Sequence, residues 1–109
     1  FIEWLRGSKL KNNDTVFILS VGGGNKEKNI STNLINSLTF SKDVGANIIG
    51  IVGRDGGFTA KISNDVCIIP TINEKTITPH TEAFHSVIWH AIVSHPKIKK
   101  EETKWESVK

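Results

Sequence analysis

The chain is poor in cysteine, has no apolar run long enough to cross a membrane, and carries only a small excess of charge. Cys67 stands alone among 109 residues, so neither an internal disulfide nor a cysteine-based metal cluster can form. It falls in the strand-like run DVCIIP, where a lone thiol reads as a small core residue and not as a nucleophile. No stretch approaches the ~20 apolar residues that a membrane helix requires. The opening FIEWLRGSKLKNND is amphipathic and lacks the apolar segment and small-residue cleavage site of a signal peptide. A soluble cytoplasmic protein without a membrane partner is the expectation. The net charge of +3 is mildly basic. Part of it sits in the tail PKIKKEETKWESVK, where Lys97, Lys99, Lys100, Lys104 and Lys109 outnumber Glu101, Glu102 and Glu106. Trp105 is the one aromatic there, so the tail reads as a solvated terminus and no nucleic-acid partner is expected.

What is present is the material of one domain. A hydrophobic share of 38% supports a modest core. Phe1, Ile2, Trp4 and Leu5 recur at helical spacing, predicting a helix that closes near Leu10, and KNND then makes a turn. TVFILSV (residues 15–21) is continuously apolar and β-branched, as expected of a strand buried on both faces. Leu34, Ile35, Leu38 and Phe40 or Ser41 predict a helix over residues 32–44, with Ser31 as its N-cap and Gly45 as its C-cap. ANIIGIVG (46–53) and DVCIIP (65–70) are two further strands. RDGGFTAKIS between them holds a turn and one short helix, and TINEKTITP reads as a loop. A last helix is expected from His80 to Ser94, ended by His95-Pro96.

This alternation predicts an α/β fold, a three-layer sandwich around a parallel sheet of Rossmann-like type. Three strands make a small sheet with exposed edges, so the chain is expected either to self-associate or to form part of a larger domain.

Parallel sheets bind ligands beyond the carboxyl ends of their strands. The loop SVGGGNKEKNIS (20–31) lies there and has the chemistry for an oxyanion. Gly22, Gly23 and Gly24 can expose backbone N–H groups, Ser20 adds a hydroxyl, and the helix start near Ser31 offers free N–H groups and a positive dipole end. It is not a P-loop, because Asn25 and Lys26 follow the last glycine, and the G-x-G-x-x-G dinucleotide fingerprint is absent. A plain strand-to-helix turn has about equal standing on these residues alone. Arg54, just past the second strand, could meet an anion or be an ordinary surface cation. Lys26 and Lys28 could reach a bound phosphate or be solvated.

Four motifs in order resemble the sugar isomerase (SIS) domain, and within it the phosphoheptose isomerases. They are the strand ending at Ser20 with a helix opening S-T-N-L-I-N, GRDGG at 53–57, a strand ending in Pro70, and TEAFHSVIWH. The resemblance covers roughly residues 14–94 and corresponds to the C-terminal portion of such a domain. It departs from the family at Val21-Gly22, where hydroxyl residues are usual, at the inserted Lys26, Glu27 and Lys28, at Glu82 in place of glutamine, and at Pro79 in place of aspartate.

The resemblance implies aldose–ketose isomerisation of a phosphorylated sugar through an enediol, of the kind that acts on sedoheptulose 7-phosphate for cell-surface polysaccharide. It assigns catalysis to His90 and Glu82, and phosphate or substrate binding to Ser20, Gly22, Gly23, Gly24, Asn25 and Ser31. It places the catalytic base in an upstream segment, so these residues alone are not expected to turn over substrate. Self-association to a homodimer or homotetramer is also implied. No cofactor is required; zinc on Glu82 and His90 is an option that two ligands are too few to establish. Glu82, Ser86 and His90 fall on one i, i+4 ridge, with Glu82 and His90 ~12 Å apart along the axis. On spacing alone His90 reads as an ordinary hydrogen-bonded helix residue, and His85 and His95 read as structural or surface residues. The alternative function is a non-catalytic phosphosugar-binding module that regulates a partner protein or transcription.

Overall fold

A computed structural model describes residues 1–102; Lys104, Trp105, Glu106 and Lys109 of the charged tail lie outside them. The elements are α1 (Ile2–Gly7), β1 (Thr15–Ser20), α2 (Thr32–Val44), β2 (Asn47–Val52), α3 (Gly57–Ile62), β3 (Asp65–Ile68), a 3-10 turn (Glu74–Thr76) and α4 (Ile77–Ser94). The fold is α/β. The three strands form one parallel sheet in the order β1-β2-β3, so each helical crossover joins neighbours.

The two faces of the sheet differ. Ile18 and Ile48 point to the face that packs on Leu34 and Leu38, with Val16, Phe58 and Ile62 at the margin. Leu34 and Leu38 stand one helical turn apart, which is why α2 can lay a single apolar stripe on the strands. The same helix buries Ser37 and Ser41, whose hydroxyls donate back to the carbonyls of Asn33 (2.8 Å) and Ser37 (2.7 Å). Those bonds remove the cost of burying two polar groups. On the opposite face α4 covers β2 through Ile77, Thr81 and His85, which are buried. A Cβ on Gly53 would meet Thr81 Oγ1 at 2.5 Å, so the absence of a side chain there sets how closely α4 can sit on the strand.

Three expectations are corrected. β1 is not buried on both faces: Phe17 and Leu19 are 39% and 49% exposed. They pair with Ile49 and Ile51, on the face where α4 packs chiefly on the central strand. Cys67 pairs with Ile51 on that same face and is exposed, not part of the core. The segment before α4 is not a loop up to Pro79. Asn73 Oδ1 accepts from Lys75 N–H at 2.9 Å, a 3-10 turn follows, and α4 begins at Ile77. Pro79 is its third residue, where a missing N–H costs no intrahelical bond.

The opening helix ends at Gly7, three residues earlier than Leu10. Ser8 turns its hydroxyl back on the Trp4 carbonyl at 2.8 Å, and Lys9 takes a left-handed φ of 56°. The helix over residues 32–44, its Gly45 cap and the stop at His95 are as the sequence reading has them. No helix among the described residues is long and apolar enough to cross a membrane. In the described part of the tail, Lys99 donates to Glu102 at 2.8 Å; that bond, and then its charge, holds the Glu102 carboxyl below its usual range. The pair is solvent-exposed and contributes little to stability.

Leu38 is fully buried between α2 and the sheet, so Leu38→Ala should cost about 3 kcal/mol in denaturant unfolding. Cys67→Ser should stay within about 0.5 kcal/mol of the parent, and the parent thiol should react with Ellman's reagent without denaturant. A protected thiol would contradict the position of β3.

Candidate functional site

The register pairs Ser20 with Val52, so the chain leaves β1 and β2 side by side at the same level. The glycine loop after β1 then rests on the turn after β2. Gly23 takes φ 66°, and a Cβ on it would run into the Gly56 carbonyl. The Gly23 carbonyl accepts from Thr59 N–H and Thr59 Oγ1, both at 2.9 Å, and the Gly24 carbonyl accepts from Phe58 N–H at 2.7 Å. Thr59 is fully buried, so these bonds form where water does not compete. Two loops from neighbouring strands are thereby fastened into one rigid shelf.

Above the shelf lies a cleft of about 430 Å³. From the glycine loop it is lined by Gly22, Gly24, Asn25, Lys28 and Ser31, from the second loop by Arg54, Asp55 and Gly57, and from the first turn of α4 by Thr78. Among the described residues the N–H groups of Gly22 and Gly24 donate to no other group. They stand beside the N-terminus of α2, a thirteen-residue helix whose first-turn N–H groups favour an anion.

Ser31 corrects a further expectation. It occupies the N-cap position, but its hydroxyl makes no capping bond. An N-cap normally takes an extended backbone, whereas Ser31 is left-handed at φ 56°, ψ 49°. Asn33 Oδ1 accepts from Leu34 N–H instead, at 2.9 Å. Among the described residues the Ser31 hydroxyl therefore has no hydrogen-bond partner, at the edge of the cleft. Arg54, also on the cleft wall, is left-handed too, at φ 52°.

Of the six residues read as phosphate-binding, Gly22, Gly24, Asn25 and Ser31 line the cleft, while Ser20 and Gly23 do not. Ser20 Oγ accepts from Gly23 N–H at 3.0 Å, and Gly23 is buried against the second loop. Both hold the loop's shape. The inserted NKEKN is a closed turn. Asn25 and Ile30 exchange backbone bonds of 3.0 and 2.9 Å, and Asn25 Oδ1 accepts from Lys28 N–H at 2.8 Å. The turn separates its lysines: Lys28 lines the cleft, and Lys26 sits 5.9 Å from the Phe58 ring centroid, outside it. Sequence reasoning had no means to make that distinction, because it depends on the bridge from Asn25 to Ile30.

Glu82 and His90 are exposed on α4 and do not line the cleft. Glu82 follows Thr78 by one turn and His90 by three, ~18 Å along the axis. His90 stacks on Trp89, with ring centroids 3.7 Å apart. His85 is buried, and its Nε2 has no partner among the described residues. No group of three or more His, Cys, Asp or Glu among the described residues is placed to hold a metal ion.

No family model matches the chain. Over 55 residues it is 38% identical to the phosphoheptose isomerase of Aliarcobacter butzleri (strain RM4018). The similarity is to a sugar isomerase. It takes in 50% of this chain and 27% of that protein, so the chain matches about a quarter of its relative's length.

Gly22 and Gly23 separate shape from access. A Cβ at Gly22 would meet only the Arg54 side chain, with Cδ at 3.7 Å and Nε at 3.8 Å, both ordinary contacts. Gly22→Ala should fold with an unchanged melting temperature, and Gly23→Ala should lose roughly 3 kcal/mol or fail to fold, because φ and the Gly56 carbonyl both oppose it. Thermal unfolding of the two variants side by side checks this.

Proposed function

We propose that this chain belongs to a phosphosugar isomerase that interconverts an aldose and a ketose phosphate through an enediol, with sedoheptulose 7-phosphate as the substrate. The observation that carries the reading is the cleft at the carboxyl ends of β1 and β2. There the unpaired N–H groups of Gly22 and Gly24, the uncommitted Ser31 hydroxyl and the N-terminus of α2 come together. Similarity to a phosphoheptose isomerase over half of the chain supports the sugar and the reaction.

In this reading the phosphate sits on the shelf and fixes one end of the sugar. Isomerisation then needs a base to remove the proton beside the carbonyl and an acid to protonate the carbonyl oxygen. Histidine suits either role near neutral pH. His90 and Glu82 are the candidates within the chain. Both face outward from α4, so they would act on a site completed by a further segment or a second copy. That geometry is the reason to expect self-association. It is also what favours the second reading, a phosphosugar-binding module without turnover, since within this chain neither group reaches the cleft.

Assay of the full-length protein with sedoheptulose 7-phosphate separates the two. The isomerase reading expects turnover, with kcat/KM reduced about a hundredfold or more in His90→Gln. Equal turnover by both proteins would remove His90 from the mechanism. A rise in melting temperature with the phosphosugar, without any turnover, would establish the binding module.

A further inference from the structure

We propose that Arg54 and Lys28 form a cationic clamp through which this cleft selects the dianion of a phosphate monoester. The inference rests on the phosphosugar reading and names the residues that carry its charge recognition. The cleft's amide donors are neutral, and a helix N-terminus contributes only about +0.5 of a charge. A phosphate dianion brings about −2 and must enter beside Asp55, which also lines the cleft. One Asp55 oxygen accepts from Gly57 N–H at 3.1 Å, but its charge remains. Two full positive charges on the same walls offset the dianion.

Their placement is specific. Arg54 lies across Gly22: its Cδ and Nε would stand 3.7 and 3.8 Å from a Cβ there, so the guanidinium stem runs along the cleft wall beside the glycine loop. Its fork can take two phosphate oxygens at once. Lys28 reaches the cleft from the other loop, held there by the Asn25 side chain and the Asn25–Ile30 bridge. Neither cation forms an ion pair among the described residues. Lys26, two residues from Lys28, does not line the cleft but an adjoining smaller hollow that shares Gly24, Asn25, Asp55 and Gly57 with it, and serves as a comparison of equal charge.

Calorimetric titration of the intact protein with sedoheptulose 7-phosphate, and separately with inorganic phosphate, tests the clamp. Arg54→Gln and Lys28→Gln should each weaken binding about tenfold, and the double variant about a hundredfold. Arg54→Lys should recover part of the loss. Lys26→Gln should change affinity less than about twofold, and Asp55→Asn should tighten it two- to threefold, roughly, by removing a like charge. Parent affinity should rise as pH climbs through about 6, where the phosphate loses its second proton, and that rise should be flattened in the double variant. A purely structural role for either residue would not move that profile. Parent binding that both cation variants match overturns the clamp and leaves the phosphosugar reading standing. Cation-dependent binding of inorganic phosphate without any binding of the sugar phosphate supports the clamp and removes the phosphosugar. Parent protein that binds neither probe overturns both.

Discussion

The site depends on the fastening of the glycine loop to the turn after β2. Two carbonyls do it: Gly23 accepts twice from Thr59, and Gly24 accepts from Phe58 N–H. The bonds need the two backbones to approach within the space a single Cβ would fill, which is why Gly23 faces Gly56 and Gly57. Without that contact, the loop after β1 would be a long flexible connection and would give its donors no fixed direction. With it, the N–H groups of Gly22 and Gly24 are held in place before a ligand arrives, so little ordering remains for binding to oppose. The serine at the strand end serves the same contact, since its hydroxyl oxygen is taken by Gly23 N–H.

The sheet's asymmetry follows from its connections. Two crossovers between neighbouring strands put α2 and α3 on one face and bury Ile18, Ile48, Leu34 and Leu38 there. Among the described residues only α4 returns across the other face, where it meets β2 and leaves Phe17, Leu19 and Cys67 exposed. The strand β1 also has an edge with no paired strand among the described residues. An apolar face beside an open strand edge is the kind of surface that proteins cover with another element or another chain.

Much of the fold was legible in the sequence because local chemistry decides it. β-branched runs mark the three strands, Gly45 marks the end of α2, and Pro96 ends α4 one residue after His95. What was not legible depends on partners distant in the chain. A continuous apolar run does not say whether anything covers its second face, so β1 and Cys67 were misread. Ser31 has the residue type of an N-cap and holds that position, but the left-handed turn that follows the bridge from Asn25 to Ile30 leaves its hydroxyl without a capping bond. Pro79 reads as a breaker, yet a first-turn position tolerates it. The site was half legible: glycines after a strand pointed to the loop, but not to which of them face a ligand and which face Thr59.

The division of labour at the cleft follows from magnitudes. A helix N-terminus is worth about 0.3–1 kcal/mol to an anion at an exposed site. A unit cation ~4 Å from a unit anion is worth about 1 kcal/mol in bulk water and about 4 kcal/mol near a protein surface of lower effective dielectric. Arg54 and Lys28 are exposed, so the true figure lies towards the lower end and falls with salt. Even there, two cations against two negative charges match or exceed the dipole. In the proposed reading, amides fixed by the Gly23–Thr59 contact would set where the phosphate oxygens lie, while the strength of binding, and its dependence on the phosphate's own charge, would come from side chains on two separate loops. The same contact that orients the donors also brings those loops together, so geometry and charge at this cleft have a common structural origin.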